Sequence, residues 1–505
     1  MLLEKDLKSE KARELYRTYF WFMKTPKTAA EEKPAKNETT IQAMPLQKEK
    51  PAEAKTAPAL KTDVFSEPKN EAAEIVLPEK KENVLEAANE TKTKIELSDK
   101  LNQNELKMSK TYERGDDVFS ELLSYYKANK LCKEDCVPVL EEDPNCLLAT
   151  VAASSRLSLL IEGESRSGKS LIMNKLSKIL TSVVPVNVCS NKAFFDMAEQ
   201  INQSDFIYIT EYQSAIEGNP AVKEVIKRIT EKQDATNDSL GETKTISGRV
   251  TVLSTGADEN KKTQKRDVEV SGRFIILKTR SDAEKIDNIC KYQDGLADGT
   301  IKDIKFSEAR YEKLKDHMRE TLEDKTTSFE NPFAKTFGEN YLPKTKKSVY
   351  YRTLYHSMIN AFTKFDRPNR ISKEAGKLVT SIADIYLVYT LYHETYCNTL
   401  KRLSSQSFEA MENSLSEPEK EVKLKECEDE NAKIDLIMKK EINWQELWSS
   451  AYEHMKKQNP ERLDEWINLQ TKDGKVRVYN PILKRDIFLC DSIPGGQNDA
   501  ENRAA

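Results

Sequence analysis

The chain has 505 residues, and its 80 lysines and arginines nearly balance 84 aspartates and glutamates, giving a formal net charge of −4. This length corresponds to roughly three domains. The near neutrality excludes a general polycation, so a nucleic-acid partner has to be sought in local basic patches. No apolar run reaches the ~18 residues that a membrane-spanning helix needs, and we expect no membrane partner.

Eight cysteines are scattered over the chain, and its apolar start is broken at once by Glu4, Lys5 and Asp6. We therefore expect no signal peptide, a reducing compartment and a cytoplasmic location.

The first 108 residues differ in composition from the rest. Residues 25–108 contain no glycine, tryptophan, tyrosine, histidine or cysteine, yet they hold seven prolines. Such a segment cannot bury enough apolar surface to offset the loss of backbone entropy, and it is predicted to be a disordered linker. Residues 1–24 have helical spacing and an aromatic cluster from Tyr16 to Phe22. This amphipathic helix either docks on its own protein or binds a protein partner at the end of a flexible arm.

The pattern of a mixed α/β protein begins near residue 109. Five short apolar runs alternate with helical stretches, which predicts a parallel five-stranded sheet with helices on both faces. The runs are 157–162, 183–189, 206–209, 250–253 and 273–277.

The remaining chain is predicted to be mainly helical. Residues 286–405 have a helical pattern, and the Glu- and Lys-rich residues 406–440 are expected to form a solvated helix or a charged connector. Residues 441–490 have the pattern of two helices followed by a β-hairpin, which is typical of a winged helix. Residues 491–505 are expected to be a flexible tail.

A phosphate-binding motif follows the first apolar run. Residues 163–170, GESRSGKS, match G-x-x-x-x-G-K-[ST] between a predicted strand and a predicted helix. The glycines let backbone N–H groups turn inward on a phosphate, and the helix N-terminus adds a favourable dipole. Lys169 reaches the β- and γ-phosphates and Ser170 offers a hydroxyl to Mg²⁺, so the predicted ligands are ATP and Mg²⁺. The residues assigned to the nucleotide are Gly163, Glu164, Ser165, Arg166, Ser167, Gly168, Lys169, Ser170 and Leu171.

Three further residues join Lys169 as candidates for ATP hydrolysis. Glu211 follows the third run and can polarise the attacking water. Thr255, at the end of the fourth run, can orient that water, with Ser254 and Asn260 as substitutes. Arg273 opens the fifth run, from which it can reach the γ-phosphate held by a neighbouring subunit.

Candidate nucleic-acid contacts come from two segments. The polar stretch 233–248 predicts a hairpin, and Lys232 and Lys244 would then point into the central channel of a ring. Residues 339–373 contain eight lysines and arginines but only two acidic residues, and aromatic residues are interspersed among them. That pattern suits phosphate tracking and base stacking, although the aromatic residues could equally be helix core. The candidates from this segment are Lys346, Lys347 and Arg352.

The predicted C-terminal hairpin offers a second basic edge. Its lysines and arginines lie between Lys472 and Arg485. Winged helices bind proteins as well as DNA, so its partner stays open.

The segments LLIEGESRSGKS, YITE, KRITEKQ, VTVLSTGADEN and VSGRF together resemble the AAA+ ATPase modules of mobile-element or plasmid replication proteins. These modules are related to superfamily III helicases and occur beside CHC-type zinc-finger primases. The resemblance covers residues 150–285 well and 345–405 loosely. It implies that the motif binds ATP, that Glu211 is the hydrolytic glutamate and that Arg273 acts across a subunit boundary. Thr210 in place of an acidic residue and Arg166 inside the loop depart from the pattern, and no zinc-finger segment precedes the motif, so priming is not expected.

The resemblance implies an ATP-hydrolysing motor acting on single-stranded DNA, a replicative helicase or helicase loader that works as a homo-oligomeric ring, typically a hexamer. The alternative is a P-loop regulator or protein-remodelling ATPase whose ATP state gates partner binding without translocation. The expected organisation is an N-terminal helix (1–24), a linker (25–108), a P-loop AAA+ ATPase domain (109–285), a helical domain (286–405), a connector (406–440), a winged helix (441–490) and a tail (491–505).

Overall fold

The computed structural model describes residues 111–186, 190–239, 242–257, 270, 272–324, 328–346, 348–374, 377–412 and 414–492. The predicted N-terminal helix and linker lie outside the described residues, as does the tail beyond residue 492.

The described chain alternates helices and strands from residue 118 to residue 491. The helices are α1 (Val118–Lys127), α2 (Asp143–Ser154), α3 (Lys169–Ile179), α4 (Asn191–Asp196), α5 (Ala198–Asn202), α6 (Pro220–Thr230), α7 (Ala283–Asp298), α8 (Glu308–Glu323), α9 (Ala334–Tyr341), α10 (Ser348–Phe365), α11 (Ile382–Glu412), α12 (Glu417–Met438), α13 (Trp444–Gln458) and α14 (Leu463–Asn468). The strands are β1 (Lys130–Leu131), β2 (Glu134–Asp135), β3 (Leu159–Gly163), β4 (Val183–Val186), β5 (Phe206–Ile209), β6 (Ala235–Ser239), β7 (Glu242–Ile246), β8 (Thr251–Ala257), β9 (Ile275–Lys278), β10 (Lys305–Phe306), β11 (Ser328–Glu330), β12 (Ser372–Glu374), β13 (Lys377–Val379), β14 (Thr471–Lys472), β15 (Lys475–Asn480) and β16 (Arg485–Asp491).

The five predicted strands form one parallel sheet in the order β4-β5-β8-β3-β9. Strand β3 lies between β8 and β9, with its Ile161 opposite Thr255 of β8 and Leu277 of β9. The mixed α/β class and the parallel five-stranded sheet are thus confirmed. Because the strands are parallel, their carboxyl ends meet at a single edge of the sheet.

Each face of this sheet has its own hydrophobic core. Successive side chains of a strand point to opposite faces, so Leu159 and Ile161 enter one core while Leu160 enters the other. The smaller core lies against α4, α5 and α6. The larger core runs from Tyr112 to Cys490 and joins α1–α3 to the later helices and the C-terminal strands. Burial on both faces explains why the strand sequences are continuously apolar.

The hairpin expected in residues 233–248 is present. Strands β6 and β7 pair antiparallel, from Ala235 opposite Ile246 to Ser239 opposite Glu242. Residues 240 and 241, between the two strands, lie outside the described part of the chain.

The C-terminal segment also contains its expected elements. Helices α13 and α14 pack through the stacked rings of Trp448 and Trp466, whose centroids are 4.9 Å apart. Strands β14, β15 and β16 form an antiparallel sheet, and Asn480 of β15 donates to the hydroxyl of Tyr386 on α11. The winged-helix assignment stays a prediction, as do the domain boundaries, because the larger core is continuous across them.

Two small three-stranded sheets, β10-β1-β2 and β11-β13-β12, were not anticipated from the sequence. Strands β10 to β13 lie in the segment expected to be mainly helical, whereas β1 and β2 precede the phosphate loop. Strands of two or three residues are too short to show a periodic pattern. The charged connector is largely the helix α12, which packs along α11 through the Lys401–Asp435 ion pair at 2.7 Å. Among the described residues, no helix combines the length and apolar character needed to cross a bilayer.

Candidate nucleotide site

The predicted phosphate loop leaves the carboxyl end of β3 and enters α3 at Lys169. Gly168, the N-cap residue of α3, has a φ of +99°, in the left-handed region that favours glycine. No side chain caps this helix, and its first turn contains no acidic residue. The N–H groups at a helix N-terminus have no intrahelical acceptors, so this terminus suits an anion.

The side chain of Lys169 folds back into the loop. Its Nζ donates to the carbonyl oxygens of Gly163 and Glu164, at 2.8 and 2.6 Å. The ammonium therefore lies in the concavity that the backbone forms, where it can exchange these carbonyls for phosphate oxygens. Ser170 is exposed on the same helical turn. The residues present therefore fit a triphosphate and its Mg²⁺.

Thr279, the residue that follows β9, is hydrogen-bonded to the loop and to the strand before it. Thr279 donates from its backbone N–H and its hydroxyl to the carbonyl of Glu162, at 2.8 and 2.9 Å, and the Thr279 and Ser167 hydroxyls are hydrogen-bonded at 2.6 Å. A Cβ on Gly163 would lie 1.9 Å from the Thr279 Oγ1. Glycine is therefore required at position 163 by the approach of Thr279, a residue that the sequence reasoning missed.

Glu211 lies at the same edge of the sheet as the phosphate loop. Ile209, the last residue of β5, pairs with Ser254 of β8, and Glu211 follows two residues beyond this carboxyl end of the strand, at the edge where β3 leads into the loop. Two strand spacings of about 4.8 Å separate β5 from β3. Glu211 is exposed, and its carboxylate accepts a hydrogen bond from the Ser214 hydroxyl at 3.0 Å.

Thr255 lies in β8, beside β3 as expected, but it is only 3% exposed. Its hydroxyl donates to the carbonyl of Thr210 and so ties β8 to the end of β5. Residues 258–260, which include the substitute Asn260, lie outside the described chain. Gln213 joins the same two strands, because its amide exchanges two hydrogen bonds with the backbone of Ala257, at 3.0 and 3.1 Å. No sequence pattern marks Gln213.

Arg273 lies at the opposite edge of the sheet. It lies in the turn two residues before Ile275, which is level with Leu159, and the strand from Leu159 to Gly163 alone spans about 13 Å. Its guanidinium forms an ion pair with Glu231 at the end of α6 and is 11% exposed. Arg273 is thus out of reach of the phosphate loop of its own chain.

The long helix α11 also contacts the strand that carries the loop. Arg402 donates to the carboxylate of Glu162 at 2.9 Å, and this carboxylate is 1% exposed. The pairing joins residues 240 positions apart, so no local pattern could have indicated it.

The candidate DNA-contacting residues lie in different parts of the structure, and several of them form ion pairs or hydrogen bonds within the protein. Lys244 forms an ion pair with Asp196 at 2.7 Å, and Lys232 lies in the turn that follows α6. The Arg352 guanidinium donates to the carbonyls of Gly338 and Leu342 at the end of α9. Lys346 is exposed, but its backbone N–H contacts the Glu430 carboxylate of the acidic helix α12 at 3.4 Å. Lys347 lies outside the described residues.

The aromatic residues interleaved with those lysines are buried. None of those with a described side chain is more than 7% exposed: Tyr341, Tyr351, Tyr355, Phe362 and Phe365. The prediction that these rings form a base-stacking surface is therefore wrong. The apolar periodicity that suggested a stacking surface is also the periodicity of a helix core.

Comparison with protein-family models gives no match for this chain, and no curated protein matches it.

Proposed function

We propose that this protein is an ATP-hydrolysing AAA+ motor that acts on single-stranded DNA, as a replicative helicase or helicase loader of a mobile element. The observation that carries the proposal is the placement of the phosphate loop and Glu211 at one edge of the parallel sheet. The lateral gap of about 10 Å between their strands leaves room for a γ-phosphate and a water molecule. Glutamate at that position suits a general base.

Each residue of the site has a role in this proposal. The N-terminal N–H groups of α3 and the Lys169 ammonium bind the β- and γ-phosphates, and the Ser170 hydroxyl would hold Mg²⁺. Mg²⁺, when bound, supplies neutralising charge to the phosphate oxygens. Glu211 accepts a proton from the attacking water, while Thr255 and Gln213 keep the β5 and β8 ends together.

The position of Arg273 supports a ring of identical subunits, for which we propose a hexamer. An arginine more than about 13 Å from its own phosphate loop can stabilise transition-state charge only in a neighbouring subunit. A closed ring supplies such a neighbour to every subunit.

The test is the ATP hydrolysis rate of the purified protein with and without single-stranded DNA. We expect hydrolysis that single-stranded DNA stimulates, and ring formation with nucleotide on a sizing column. Lys169→Ala should abolish tight ATP binding, and Glu211→Gln should bind ATP but not turn it over. Hydrolysis that no nucleic acid stimulates would favour the regulator instead.

A further inference from the structure

The outer face of the β15–β16 hairpin carries basic and aromatic side chains. Val476 and Val478 of β15 are buried, so the alternate residues Lys475, Arg477 and Tyr479 point outward. Phe488 of β16 lies directly opposite Arg477 and shares this side of the sheet. We name Lys475, Arg477, Tyr479 and Phe488 the hairpin face.

The two aromatic rings of the hairpin face are open to solvent. Phe488 is 53% exposed and Tyr479 is 41% exposed, whereas large aromatic side chains are mostly buried in folded proteins. The Lys475 ammonium lies 5.5 Å from the Phe488 ring centroid. The hairpin face therefore presents flat apolar surfaces beside a positive charge.

Arg477 has an unmet hydrogen-bonding requirement. Its Nε is buried without a hydrogen-bond partner, and its guanidinium has no ion pair within the described chain. It lines a cavity of about 50 Å³ together with Asn369, Trp466 and Gln470. A buried donor without an acceptor destabilises the folded protein. A ligand that brings an anionic oxygen into this cavity would remove that destabilisation.

Arg370, the other arginine of this cavity, is already neutralised. It forms ion pairs with Asp384 and Asp366, and all three side chains are buried. Arg477 is thus the arginine of the cavity that can meet an external anion.

The hairpin segment as a whole has a positive net charge, although Asp486 and Asp491 pair opposite Tyr479 and Lys475 and share the side of the hairpin face. Residues 471–492 contain five lysines and arginines and three aspartates. In the described structure none of the five basic side chains forms an ion pair. Tyr479 and Lys484 border a second cavity of about 230 Å³, against α1. Basic groups in both cavities flank the exposed rings.

We propose that the hairpin face binds single-stranded DNA, with Arg477 bonding a backbone phosphate and with Phe488 and Tyr479 stacking on bases. This inference rests on the proposed action on single-stranded DNA. Stacking on an exposed ring requires bases that are not paired in a duplex, which selects the single strand. The combination of a phosphate-sized cavity, an uncompensated arginine and exposed aromatic rings matches the groups that a single strand presents.

The experiment measures the affinity of a fluorescently labelled oligothymidylate by anisotropy, without nucleotide, for wild type, Phe488→Ala and Arg477→Gln. Stacking contributes about 1–3 kcal/mol per base, so Phe488→Ala should weaken binding at least about fivefold. Arg477→Gln should weaken binding and also lower the slope of log affinity against log salt by about one. Phe488→Ala should keep the wild-type slope.

Two variants control for loss of exposed charge and of exposed apolar surface. Lys425→Gln and Leu436→Ala change exposed side chains of α12, and both should bind the oligonucleotide like wild type. Circular dichroism checks folding, and because Phe488 is half exposed, its variant should fold. A duplex of the same length should bind more weakly than the single strand.

The outcomes separate this inference from the proposed function. Wild-type affinity in both Phe488→Ala and Arg477→Gln would overturn the inference and assign the hairpin face to another partner, such as a protein, whatever the ATPase assay gives. Loss of DNA binding in the two variants, in a protein that hydrolyses no ATP, would support the inference and refute the motor. Wild type that hydrolyses ATP but binds no single strand would overturn the inference and leave the ATPase.

Discussion

Lys285 and Glu142 form an ion pair directly beneath the phosphate loop, with side chains 3% and 2% exposed. The Lys285 ammonium also donates to the carbonyl oxygens of Ser167 and Arg280, at 2.8 and 2.9 Å. Glu142 in turn accepts the backbone N–H of Arg280 at 2.9 Å. Both buried charges are therefore paired and hydrogen-bonded, as burial requires. The pair fixes the loop to α2 and α7, and neither residue stands out in the sequence.

Removal of this pair should weaken nucleotide binding. Lys285→Met alone leaves the Glu142 charge buried and unpaired, which costs about 3–5 kcal/mol. The double variant Lys285→Met/Glu142→Leu removes both charges, so it should fold while lacking the tether to Ser167. We expect its affinity for ATP, measured by calorimetry, to fall about tenfold or more.

A second buried lysine provides the matched control. Lys175 lies on α3, the helix that follows the loop, and its ammonium donates to the carbonyls of Tyr125, Tyr126 and Ala128 at the end of α1. Lys175→Met should lower the free energy of unfolding and leave ATP affinity unchanged. If the double variant at Lys285 and Glu142 binds ATP like wild type, the positioning role is refuted.

Gly163→Ala should disrupt the loop for a steric reason. The new methyl group would meet the Thr279 Oγ1 at 1.9 Å and the Ser167 Oγ at 2.8 Å. We expect loss of measurable ATP binding. Adding Thr279→Ala removes the closest atom and should restore part of the affinity. A single variant that binds ATP normally would show that the loop shifts without cost.

Arg273→Ala should abolish hydrolysis while leaving ATP binding intact if, as we propose, the arginine acts on a neighbouring subunit. Mixing it with Lys169→Ala subunits should restore part of the activity, since one mutant supplies an intact loop and the other an intact arginine. Glu231→Gln is the control, because it breaks the same ion pair but keeps the guanidinium. If Glu231→Gln is as inactive as Arg273→Ala, the role of Arg273 is structural.

The predictable part of this protein depended on local patterns. The parallel sheet followed from five apolar runs, and the strand β3 and helix α3 on either side of the predicted phosphate loop followed from the apolar pattern around its spaced glycines and lysine. Thr279 and Arg402 reach the loop strand from 117 and 240 positions away, and only tertiary packing brings them there. The stacking surface failed for a related reason: composition placed basic and aromatic residues together near Tyr355, but burial, which composition does not report, put the rings in the core.

His317 should make stability depend on pH. It is 4% exposed between the rings of Tyr112 and Phe365, and its Nε2–H donates to the Phe365 carbonyl at 2.9 Å. Burial lowers the pKa of His317 from 6.5 to about 4, with a smaller contribution in the same direction from Lys313. His317 is therefore protonated near pH 6.5 in the unfolded chain but only near pH 4 in the folded chain. The contribution of His317 to the free energy of unfolding is fully present above pH 6.5 and is lost as the pH falls through this window.

Between pH 7.5 and pH 5 the free energy of unfolding should fall by about 2 kcal/mol because of this residue. His317→Gln keeps a donor for Phe365 and should flatten the pH dependence of urea unfolding by that amount, whereas parallel curves for the two proteins would show that His317 titrates alike in both states.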